Sequence, residues 1–531
     1  MNLTWKTVDP EDGIAELPKK IWLAQNLSEG EFWTPNITHM RTIPDPLRGN
    51  DMLLVPNTPP EQFGTFIKGL QKTPTYGLHN PYLNSNRYIS LGRVSARAAQ
   101  ALEQEKIAHF FACLIQRVMP KSYAQCMGEV TVTRDFLYNF SADNVRFHFG
   151  RSFSTTGNHD GQTSNGYRYP HGPVVIITPF NFPLEIPALQ IMAALFTGNR
   201  PLVKSDSKVS IVTEQFIRLL IKCGLPAGDL DLIHCSGENM GLFLQQAAKH
   251  IAFSQFTGST EVGEYVMKTL NGKAKLEDAG FNWKIIGKDI PPESLPYIAW
   301  QCDQDAYAAS GQKCSAQSLL FVHTKHAIKL EHHLRTLARR RRLDNLTVGP
   351  LLSITNVDIQ KHITAILGLP YPYLLWGGMS LTNHSIPPCY GAFQPTAFSL
   401  PIGLLCIEQQ FDLLTKEIFG PFQVIVEYSD NQVNTMLAIL ERVKRRLTAA
   451  VVSNDHMFLS KILGCTTNGT TYAGIRARTT GAPQNHWFGP CGPTAAGIGT
   501  PESIISTWTS HREVVFDTFA PPIDWVLPDP S

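Results

Sequence analysis

Between residues 173 and 278, short apolar runs alternate regularly with amphipathic segments. Buried strands are predicted for VVIIT (174–178), PLVK (201–204), LDLIHC (230–235), IAFSQF (251–256) and KAKLED (273–278). Apolar residues at helical spacing predict helices over 184–196, 209–223, 240–249 and 261–270. This alternation predicts a parallel, doubly wound sheet, a fold that binds ligands at the carboxyl ends of its strands.

Upstream of this region the pattern is less regular. Residues 1–60 are rich in proline, asparagine and charge, and IPDPLRGND (43–51) predicts a turn. Helical spacing indicates helices within 95–118 and 132–140. Over 146–171, aromatic and polar residues alternate around glycine and asparagine, which predicts a β-hairpin that projects from the body.

Downstream, helices and strands alternate a second time from about 281 to 455. A loop-rich segment follows over 479–503, and ISTWTSHREVVF (505–516) predicts a late strand before a proline-rich tail. The chain of 531 residues is long enough for two or three domains. The sequence therefore predicts two α/β units in succession, with a hairpin and a late strand outside them.

Composition excludes several classes of function. The 46 Lys and Arg residues nearly cancel the 44 Asp and Glu residues, so the charge gives no reason to expect nucleic acid or an anionic membrane as partner. No apolar stretch is long enough to cross a bilayer. The ten cysteines include no CxxC pair, and His332-His333 has no acid or thiol at ligand spacing, so no metal is expected. The basic run 337–344 is interpreted as a solvated helix face.

Two motifs place polar groups directly after predicted strands. In TPFNFPLEIP (178–187), Asn181 lies in the turn between a strand and a helix, where its amide can donate to a developing oxyanion. Taken alone, the same residue is better explained as a helix cap. In FTGSTEVG (256–263), Gly258 and Ser259 lie where backbone amides and a helix N-terminus can accept a pyrophosphate, although the motif is not GxGxxG.

Two further motifs carry an acid and a thiol. KLEDAGFNW (275–283) places Glu277 at a strand end, where a shielded carboxylate can act as a general base; a surface acid is the alternative. In DAYAASGQKCSAQS (305–318), small residues around Cys314 leave room for a substrate, and nearby N–H groups favour a thiolate nucleophile. A buried structural cysteine is the alternative, and it fits Cys302 better.

Together, and in this order, these motifs resemble those of the aldehyde dehydrogenase superfamily over almost the whole chain. KEIFGPF (416–422) and the lysine of PLVK complete the set. The segments KSYAQCMGEVTVTRDFLYNF, LEDAGFNWKIIG, CDQDAYAASGQKCSAQS and RARTTGAPQNHWFGP resemble more narrowly the plant-type Δ1-pyrroline-5-carboxylate dehydrogenases, aldehyde dehydrogenase family 12. Those enzymes oxidise L-glutamate γ-semialdehyde to L-glutamate with NAD in proline breakdown, through a cysteine thiohemiacetal and a thioester.

The resemblance implies roles for individual residues. Cys314 is the nucleophile, Asn181 holds the oxyanion and Glu277 activates the hydrolytic water. The expected cofactor contacts are Lys204, Ser207, Gly258, Ser259, Glu417 and Phe419, with Thr178 and Phe180 of the turn. Ser207 stands where many relatives have a Glu that binds the ribose 2′-hydroxyl, which favours NAD with weaker use of NADP. Ser315, Gly497 and Phe182 are the expected substrate contacts.

The resemblance also implies an architecture and a setting. Residues 1–145 and 172–280 are expected to form a Rossmann-type NAD-binding domain, and 281–478 an α/β catalytic domain. Residues 146–171 and 500–531 are expected to form a β-hairpin oligomerisation arm, with 479–499 as the substrate-loop connection. A homodimer or a dimer-based homo-oligomer is expected. The mitochondrial matrix is implied as the location, although the N-terminus shows no import signal; the cytoplasm is the alternative.

Three alternatives remain open on the sequence. The chain could oxidise another semialdehyde, transfer the acyl group to coenzyme A, or be a non-catalytic structural member of the family. The retained Glu277 favours water as the acyl acceptor, and the joint presence of Cys314, Asn181 and Glu277 speaks against a silent member. The loop GPCGPTAAGIGT (489–500) has Thr494 or a neighbour where the plant-type pattern has an arginine, which puts the identity of the semialdehyde in question.

Overall fold

The computed structural model describes residues 21–278 and 280–531. The strands before residue 279 are β1 (Trp22–Leu23), β2 (Asn26–Ser28), β3 (Glu31–Trp33), β4 (Met40–Pro44), β5 (Asp51–Pro56), β6 (Arg151–Thr156), β7 (Gln162–Pro170), β8 (Pro173–Thr178), β9 (Arg200–Ser205), β10 (Asp231–Leu232), β11 (Phe253–Thr257) and β12 (Ala274–Glu277). The later strands are β13 (Asn282–Ile286), β14 (Gln317–His323), β15 (Tyr373–Trp376), β16 (Thr396–Ser399), β17 (Phe422–Tyr428), β18 (Thr448–Val452), β19 (Thr470–Ala473) and β20 (Thr509–Asp517).

The helices alternate with these strands. In the first half they are α1 (Phe63–Lys72), α2 (Asn86–Glu103), α3 (Glu105–Val118), α4 (Tyr123–Asn139), α5 (Asn144–Phe149), α6 (Glu185–Phe196), α7 (Ser210–Lys222), α8 (Gly237–Ala247) and α9 (Thr260–Thr269). In the second half they are α10 (Leu295–Tyr307), α11 (Ala327–Ala338), α12 (Asn356–Leu367), α13 (Glu408–Leu414), α14 (Val433–Arg442), α15 (His456–Gly464) and α16 (Pro501–Trp508).

The first large sheet has the order β12-β11-β8-β9-β10-β2-β3. Its strands from β12 to β10 are parallel, and β2 and β3 continue it in antiparallel pairing. Successive residues of β8 point to opposite faces: Val174 and Ile176 belong to the core under α2–α7, and Val175 and Ile177 to the core under α1, α8 and α9. The doubly wound parallel sheet predicted from the alternating pattern is confirmed.

The second large sheet has the order β15-β16-β17-β14-β13-β18-β19 and is parallel except for β15. It also separates two apolar cores: Trp283 and Ile285 of β13 pack into one of them, and Ile286 packs into the other. Parallel strands covered on both faces read as continuous apolar runs, as β13 and β18 do. This is the second α/β unit that the alternation over 281–455 predicted.

The predicted hairpin is present as β6 and β7, and β20 adds to it along the whole length of β7, from Thr509 opposite Pro170 to Asp517 opposite Gln162. The result is a three-stranded antiparallel sheet with the order β20-β7-β6. Residues 144–149 form the short helix α5, so the hairpin begins five residues later than predicted.

Several boundaries predicted from the sequence are wrong. The strand predicted over 230–235 is only Asp231–Leu232. Residues 505–508 end helix α16 and are not part of the late strand, because Thr500 caps that helix and Pro501 occupies its first turn. The turn predicted over 43–51 joins β4 to β5, two strands that the irregular pattern did not reveal. Residues 1–20 of the segment predicted to lack regular periods lie outside the described residues.

Candidate active site

Three chain segments meet at the carboxyl ends of the first sheet. The turn after β8 carries Asn181, Glu277 is the last residue of β12, and Cys314 lies in the loop that precedes β14. Asn181 and Glu277 are both only 2% exposed. Asn181 and Glu277 lie close together because the carboxyl ends of parallel strands share one edge of a sheet. Cys314 approaches them from the second sheet, just before β14, and all three residues that the sequence singled out line one cavity.

The loop that carries Cys314 has an unusual backbone. Ala309, Ser310 and Gly311 follow one another with positive φ angles of 53°, 58° and 71°. A Cβ atom on Gly311 would lie 2.1 Å from the carbonyl oxygen of Gly420, so the close approach requires glycine. Left-handed conformations at non-glycine residues cost free energy and persist where the surrounding structure fixes them.

Hydrogen bonds hold this loop on both sides of the thiol. The backbone N–H of Gly349 donates to Ser310 Oγ at 2.7 Å, and that of Leu352 donates to Gln312 Oε1 at 2.8 Å. On the other side, Asn282 Nδ2 donates to the carbonyl oxygens of Cys314 and Ala316 at 2.7 and 2.9 Å. These bonds fix the position of the Cys314 backbone relative to the strand that begins at Asn282.

The turn that carries Asn181 is anchored by a buried ion pair. Lys121 Nζ lies 2.7 Å from Glu129 Oε2 and donates to the carbonyl oxygen of Asn181 at 3.0 Å. The other carboxylate oxygen of Glu129 accepts from the backbone N–H groups of Leu184 and Glu185 at the start of α6. Both partners of the pair are fully buried, and its additional hydrogen bonds satisfy the charges where desolvation would otherwise be costly.

The side-chain oxygen of Asn181 is buried and has no hydrogen-bond partner among the described residues. Asn181 lines the cavity that contains Cys314, and its side-chain amide nitrogen also has no hydrogen-bond partner among the described residues, so its N–H groups are available to an oxyanion. An amide whose only task was to cap α6 would bond to the backbone at the start of that helix, and there Glu129 takes this role.

Glu277 and Cys314 influence each other's protonation. Burial raises the pKa of Glu277 to about 7, and the nearby Cys314 thiol partly offsets this increase. Burial, followed by the charge of Glu277, raises the pKa of Cys314 well above its usual value. The thiol is therefore protonated until a base accepts its proton, and Glu277, with both oxygens buried and unpartnered in the described structure, is placed to do so.

Replacing Asn181 with alanine is expected to lower kcat by about 10²- to 10³-fold, the usual loss when one oxyanion donor is removed. KM for the aldehyde should change little, because the amide acts on charge that develops only in the transition state. Steady-state kinetics of Asn181→Ala and the isosteric Asn181→Asp would measure this. Wild-type kcat in the alanine variant would assign Asn181 to the turn alone.

Two cavities meet at Cys314. One has a volume of about 620 Å³ and is lined by Phe182, Ser315, Thr480 and Phe488 together with charged side chains. The other has a volume of about 670 Å³ and includes Asn181 and Glu277 in its wall. Because Cys314 belongs to both walls, a group bound in one cavity can react at the thiol with a group bound in the other.

The second cavity brings together most of the residues predicted to bind a cofactor. Its wall includes Thr178, Phe180, Lys204, Gly258, Ser259, Glu417 and Phe419. Phe419 has a positive φ of 51°, and its ring contacts that of Phe180 edge-on at 5.8 Å. A Cβ atom at Gly258 would lie 2.6 Å from the Phe256 ring, so a larger residue there would displace that ring.

Two predicted contacts are not in these walls. Ser207 points away from the second cavity and donates from Oγ to the carbonyl oxygen of Cys235 at 3.2 Å; Asp206 lines the cavity in its place. Gly497 is buried against the Trp487 ring, and Phe488 and Ile498 line the first cavity there. Ser315 is in that wall, with Oγ 3.4 Å from Thr480 Oγ1.

The sequence reasoning also missed charged residues of the first cavity. They are Glu129, Glu185, Asp303, Lys313, Arg340, Arg341 and Arg478. Lys313 precedes the nucleophile, and Glu185 is the one charged residue of α6, whose other residues are apolar apart from Gln190, so both had a signal in the sequence. Arg340 belongs to the basic run 337–344, whose interpretation as a solvated helix face is wrong, because α11 ends at Ala338 and the Arg341 side chain is buried against Asp303. Arg478 had no signal in the sequence.

Comparison with known proteins agrees with this geometry. The model of the aldehyde dehydrogenase family matches residues 90–514, and the chain belongs to that family. It is 50% identical over 530 residues to Delta-1-pyrroline-5-carboxylate dehydrogenase 12A1, mitochondrial, of Arabidopsis thaliana, covering 99% of this chain and 94% of that protein. It is also 50% identical over 529 residues, with the same coverage, to a probable aldehyde dehydrogenase of Linum usitatissimum.

Solved structures show the same fold. A betaine aldehyde dehydrogenase of Staphylococcus aureus, determined in complex with NAD+, aligns with a TM-score of 0.79 at 18% identity, covering 95% of this chain and 97% of that one. The aldehyde dehydrogenase-like fold expected from the sequence is confirmed. Within residues 21–278 and 280–531, no helix is long and apolar enough to span a membrane, and no cluster of three metal-ligating side chains is found.

Proposed function

We propose that this protein oxidises L-glutamate γ-semialdehyde, the open form of Δ1-pyrroline-5-carboxylate, to L-glutamate with NAD as the hydride acceptor. The observation that carries the proposal is the position of Cys314 between two cavities, one of which has unpaired cationic side chains in its wall. The name of the Arabidopsis relative, half of whose aligned residues are identical, supports the same substrate.

The residues in the site support a two-step reaction. Glu277 takes the thiol proton as Cys314 Sγ bonds to the aldehyde carbon, and the Asn181 amide donates to the resulting oxyanion. NAD, bound in the second cavity, would accept the hydride that the thiohemiacetal carbon loses. After Glu277 has released the thiol proton to solvent, it removes a proton from water, whose oxygen bonds to the thioester carbon as the carbon–sulfur bond breaks, and the departing thiolate takes that proton from Glu277. The products are the carboxylate and the restored thiol.

Lys313 is proposed to bind the carboxylate end of the substrate. Its ammonium group donates to the carbonyl oxygen of Gln304 and to Thr480 Oγ1, both at 3.1 Å, which leaves one of its three N–H donors for a ligand. Burial lowers its pKa to about 8, and a bound carboxylate would stabilise the charged form. Arg478 and the predicted contact Ser315 lie in the same wall.

The second cavity fits a dinucleotide. Lys204 and Asp206, at the end of β9, both line this cavity. Gly258 and Ser259 lie at the start of α9, where backbone N–H groups suit a pyrophosphate. Asp206 is half-buried, and desolvation favours its neutral form, but Lys208 at 3.1 Å and Lys204 hold its pKa below the usual value, so it is ionised. A carboxylate beside Lys204 favours the ribose hydroxyls of NAD and repels the 2′-phosphate of NADP, which is therefore the weaker cofactor.

Replacing Asp206 with asparagine should raise kcat/KM for NADP by about 10-fold, because it removes a like charge from the 2′-phosphate. The same change should lower kcat/KM for NAD, because the ribose loses a charged acceptor. The measurement is the ratio of the two cofactor efficiencies, with Ser207→Ala as matched control. An unchanged ratio in Asp206→Asn would contradict the role of Asp206 in cofactor selection. A changed ratio in Ser207→Ala alone would assign that selection to Ser207.

The assay that tests the function follows NADH formation from Δ1-pyrroline-5-carboxylate, with succinate semialdehyde and a series of aliphatic aldehydes as competitors. We expect the glutamate-derived semialdehyde to have the highest kcat/KM, with no requirement for coenzyme A. A higher value for another semialdehyde would give the protein a different substrate. A requirement for coenzyme A would make it an acylating enzyme, and inactivity on the whole panel would make it a silent family member.

We further propose that the β6–β7 hairpin with β20 joins copies of the chain. The sheet presents two free edges, and Phe153 is 74% and Val515 57% exposed on it. Within this proposal residues 1–145 and 172–280 form the NAD-binding domain, 281–478 the catalytic domain, and 479–499 the substrate-loop connection. Light scattering would show a homodimer or a multiple of it. A mitochondrial location is proposed from the name of the Arabidopsis relative.

A further inference from the structure

The charged side chains of the first cavity can be sorted by whether they are already paired. Glu129 is bound to Lys121 and to two backbone N–H groups. The Asp303 carboxylate accepts hydrogen bonds from Nε and from one terminal nitrogen of Arg341, at 3.2 and 2.6 Å. These acids are satisfied within the protein, so neither is available to a ligand without the loss of a buried ion pair.

What remains is one acid and three cations. Among the described residues that line this cavity, Glu185 is the acid whose carboxyl group has no protein partner, and Lys313, Arg340 and Arg478 are the cations that lack a carboxylate partner. Glu185 is 8% exposed. A buried carboxyl group without a partner is costly, and functional sites are where such groups are retained.

Glu185 is also close to the reacting centre. It is the first residue of α6, four positions after Asn181, and the hydrogen bonds of its backbone N–H and that of Leu184 to Glu129 fix the start of that helix. It shares the cavity wall with Cys314. An apolar residue would pack in this helix at no such cost, because every other residue of α6 is buried and only Gln190 among them is polar.

We propose that Glu185 binds the α-ammonium group of the substrate and thereby makes the site selective for an amino-acid aldehyde. The inference rests on the proposed function, since it assigns a partner to the second charge of glutamate γ-semialdehyde. The cations of the cavity then take the carboxylate, and the acid takes the amine, so that the site complements a zwitterion.

The protonation of Glu185 agrees with a cationic ligand. Burial, followed by the charge of Glu129, raises the pKa of the Glu185 carboxyl to about 8. An ammonium group within hydrogen-bond distance favours the ionised carboxylate, so a bound ligand of this kind would replace the hydration that the carboxylate loses by burial. A simple aldehyde offers no such compensation.

The test compares two substrates on one variant. Glutamate γ-semialdehyde and 5-oxopentanoate have the same chain, aldehyde and carboxylate, and they differ in the α-ammonium group. In Glu185→Gln, kcat/KM for the amino substrate should fall by about 10- to 100-fold, mainly through KM, because a charge-assisted hydrogen bond is lost. For 5-oxopentanoate it should change by less than about threefold on the same grounds. Glu293→Gln, at an exposed acid, is the matched control.

The ratio of the two substrates does not depend on the fraction of folded enzyme, so partial misfolding cannot imitate the result. If the amide variant does not fold, Glu185→Leu, which suits the apolar helix, gives the same ratio. An equal loss on both substrates would make Glu185 a proton relay or a structural residue and overturn the proposal, as would no loss on either. Failure of the proposed function differs from both, because the wild-type protein would then leave glutamate γ-semialdehyde unoxidised.

Discussion

Cys314→Ala is expected to lower NADH formation by about 10⁴-fold or more, the scale seen when a covalent nucleophile is removed. The reason is geometric as well as chemical. Cys314 is the thiol in the wall that both cavities share, and Asn282 fixes its carbonyl oxygen at 2.7 Å. Without sulfur at that point, no thiohemiacetal forms and the aldehyde has no route to a carboxylate.

The control for this variant is a second cysteine. Cys465 is exposed at the end of α15, and Cys465→Ala should retain wild-type turnover. The Kd of Cys314→Ala for NAD, measured by titration calorimetry, should also stay close to the wild-type value, because the thiol is only one part of that cavity. Substantial turnover by the folded Cys314→Ala protein would refute the assignment of the nucleophile.

Glu277→Gln is expected to lower steady-state turnover by about 10³-fold, within the range for loss of a positioned general base. Because Glu277 serves both steps, acylation should also be slower than in the wild type, but at high pH the thiol can lose its proton to solvent, whereas water still needs a base. At such a pH thioester hydrolysis should be the slower step, and NADH should appear as a burst of at most one equivalent per site followed by a slow phase. Stopped-flow absorbance would separate the two phases. NADH formation without a burst, at a single slow rate, would show that the first step limits the variant and would contradict the role of Glu277 in thioester hydrolysis.

The pH dependence gives Glu277 a second signature. Its pKa is raised from the usual 4.5 to about 7 by burial, and the base works in its ionised form. Wild-type kcat/KM should therefore rise as the pH increases through about 7, and this limb should be absent in Glu277→Gln. A limb of the same midpoint in the variant would belong to another group of the site.

The convergence of Cys314, Glu277 and Asn181 could be predicted because each residue stands close to the end or start of a strand whose apolar pattern is clear. Strand alternation also contained an unused signal: Lys204 and Asp206, two positions apart, share a side, whereas Ser207 points to the other. The resemblance pointed to Ser207 because it matches residues by their spacing from the lysine. It contains no information on the direction in which the side chains after Ser205 point.

Other features depend on contacts that sequence spacing does not encode. Lys121 and Glu129 anchor the Asn181 turn from α4 and the segment before it, about sixty positions upstream. The left-handed run at 309–311 is imposed by Gly420 and Gly349 from distant loops. Helix α16, in contrast, had a local signal in Thr500 and Pro501, which the reading of 505–516 as a strand overlooked.

The most direct test of the account is the identity of the acyl group on Cys314. Glu277→Gln would be mixed with NAD and Δ1-pyrroline-5-carboxylate, quenched in acid within the burst, digested and analysed by mass spectrometry. We expect a mass increase equal to a glutamyl acyl group on the peptide that contains Cys314. Without NAD that peptide should be unmodified, because the thiohemiacetal is reversible and is lost on digestion. An unmodified Cys314 during the burst, or the acyl group on another residue, would contradict it.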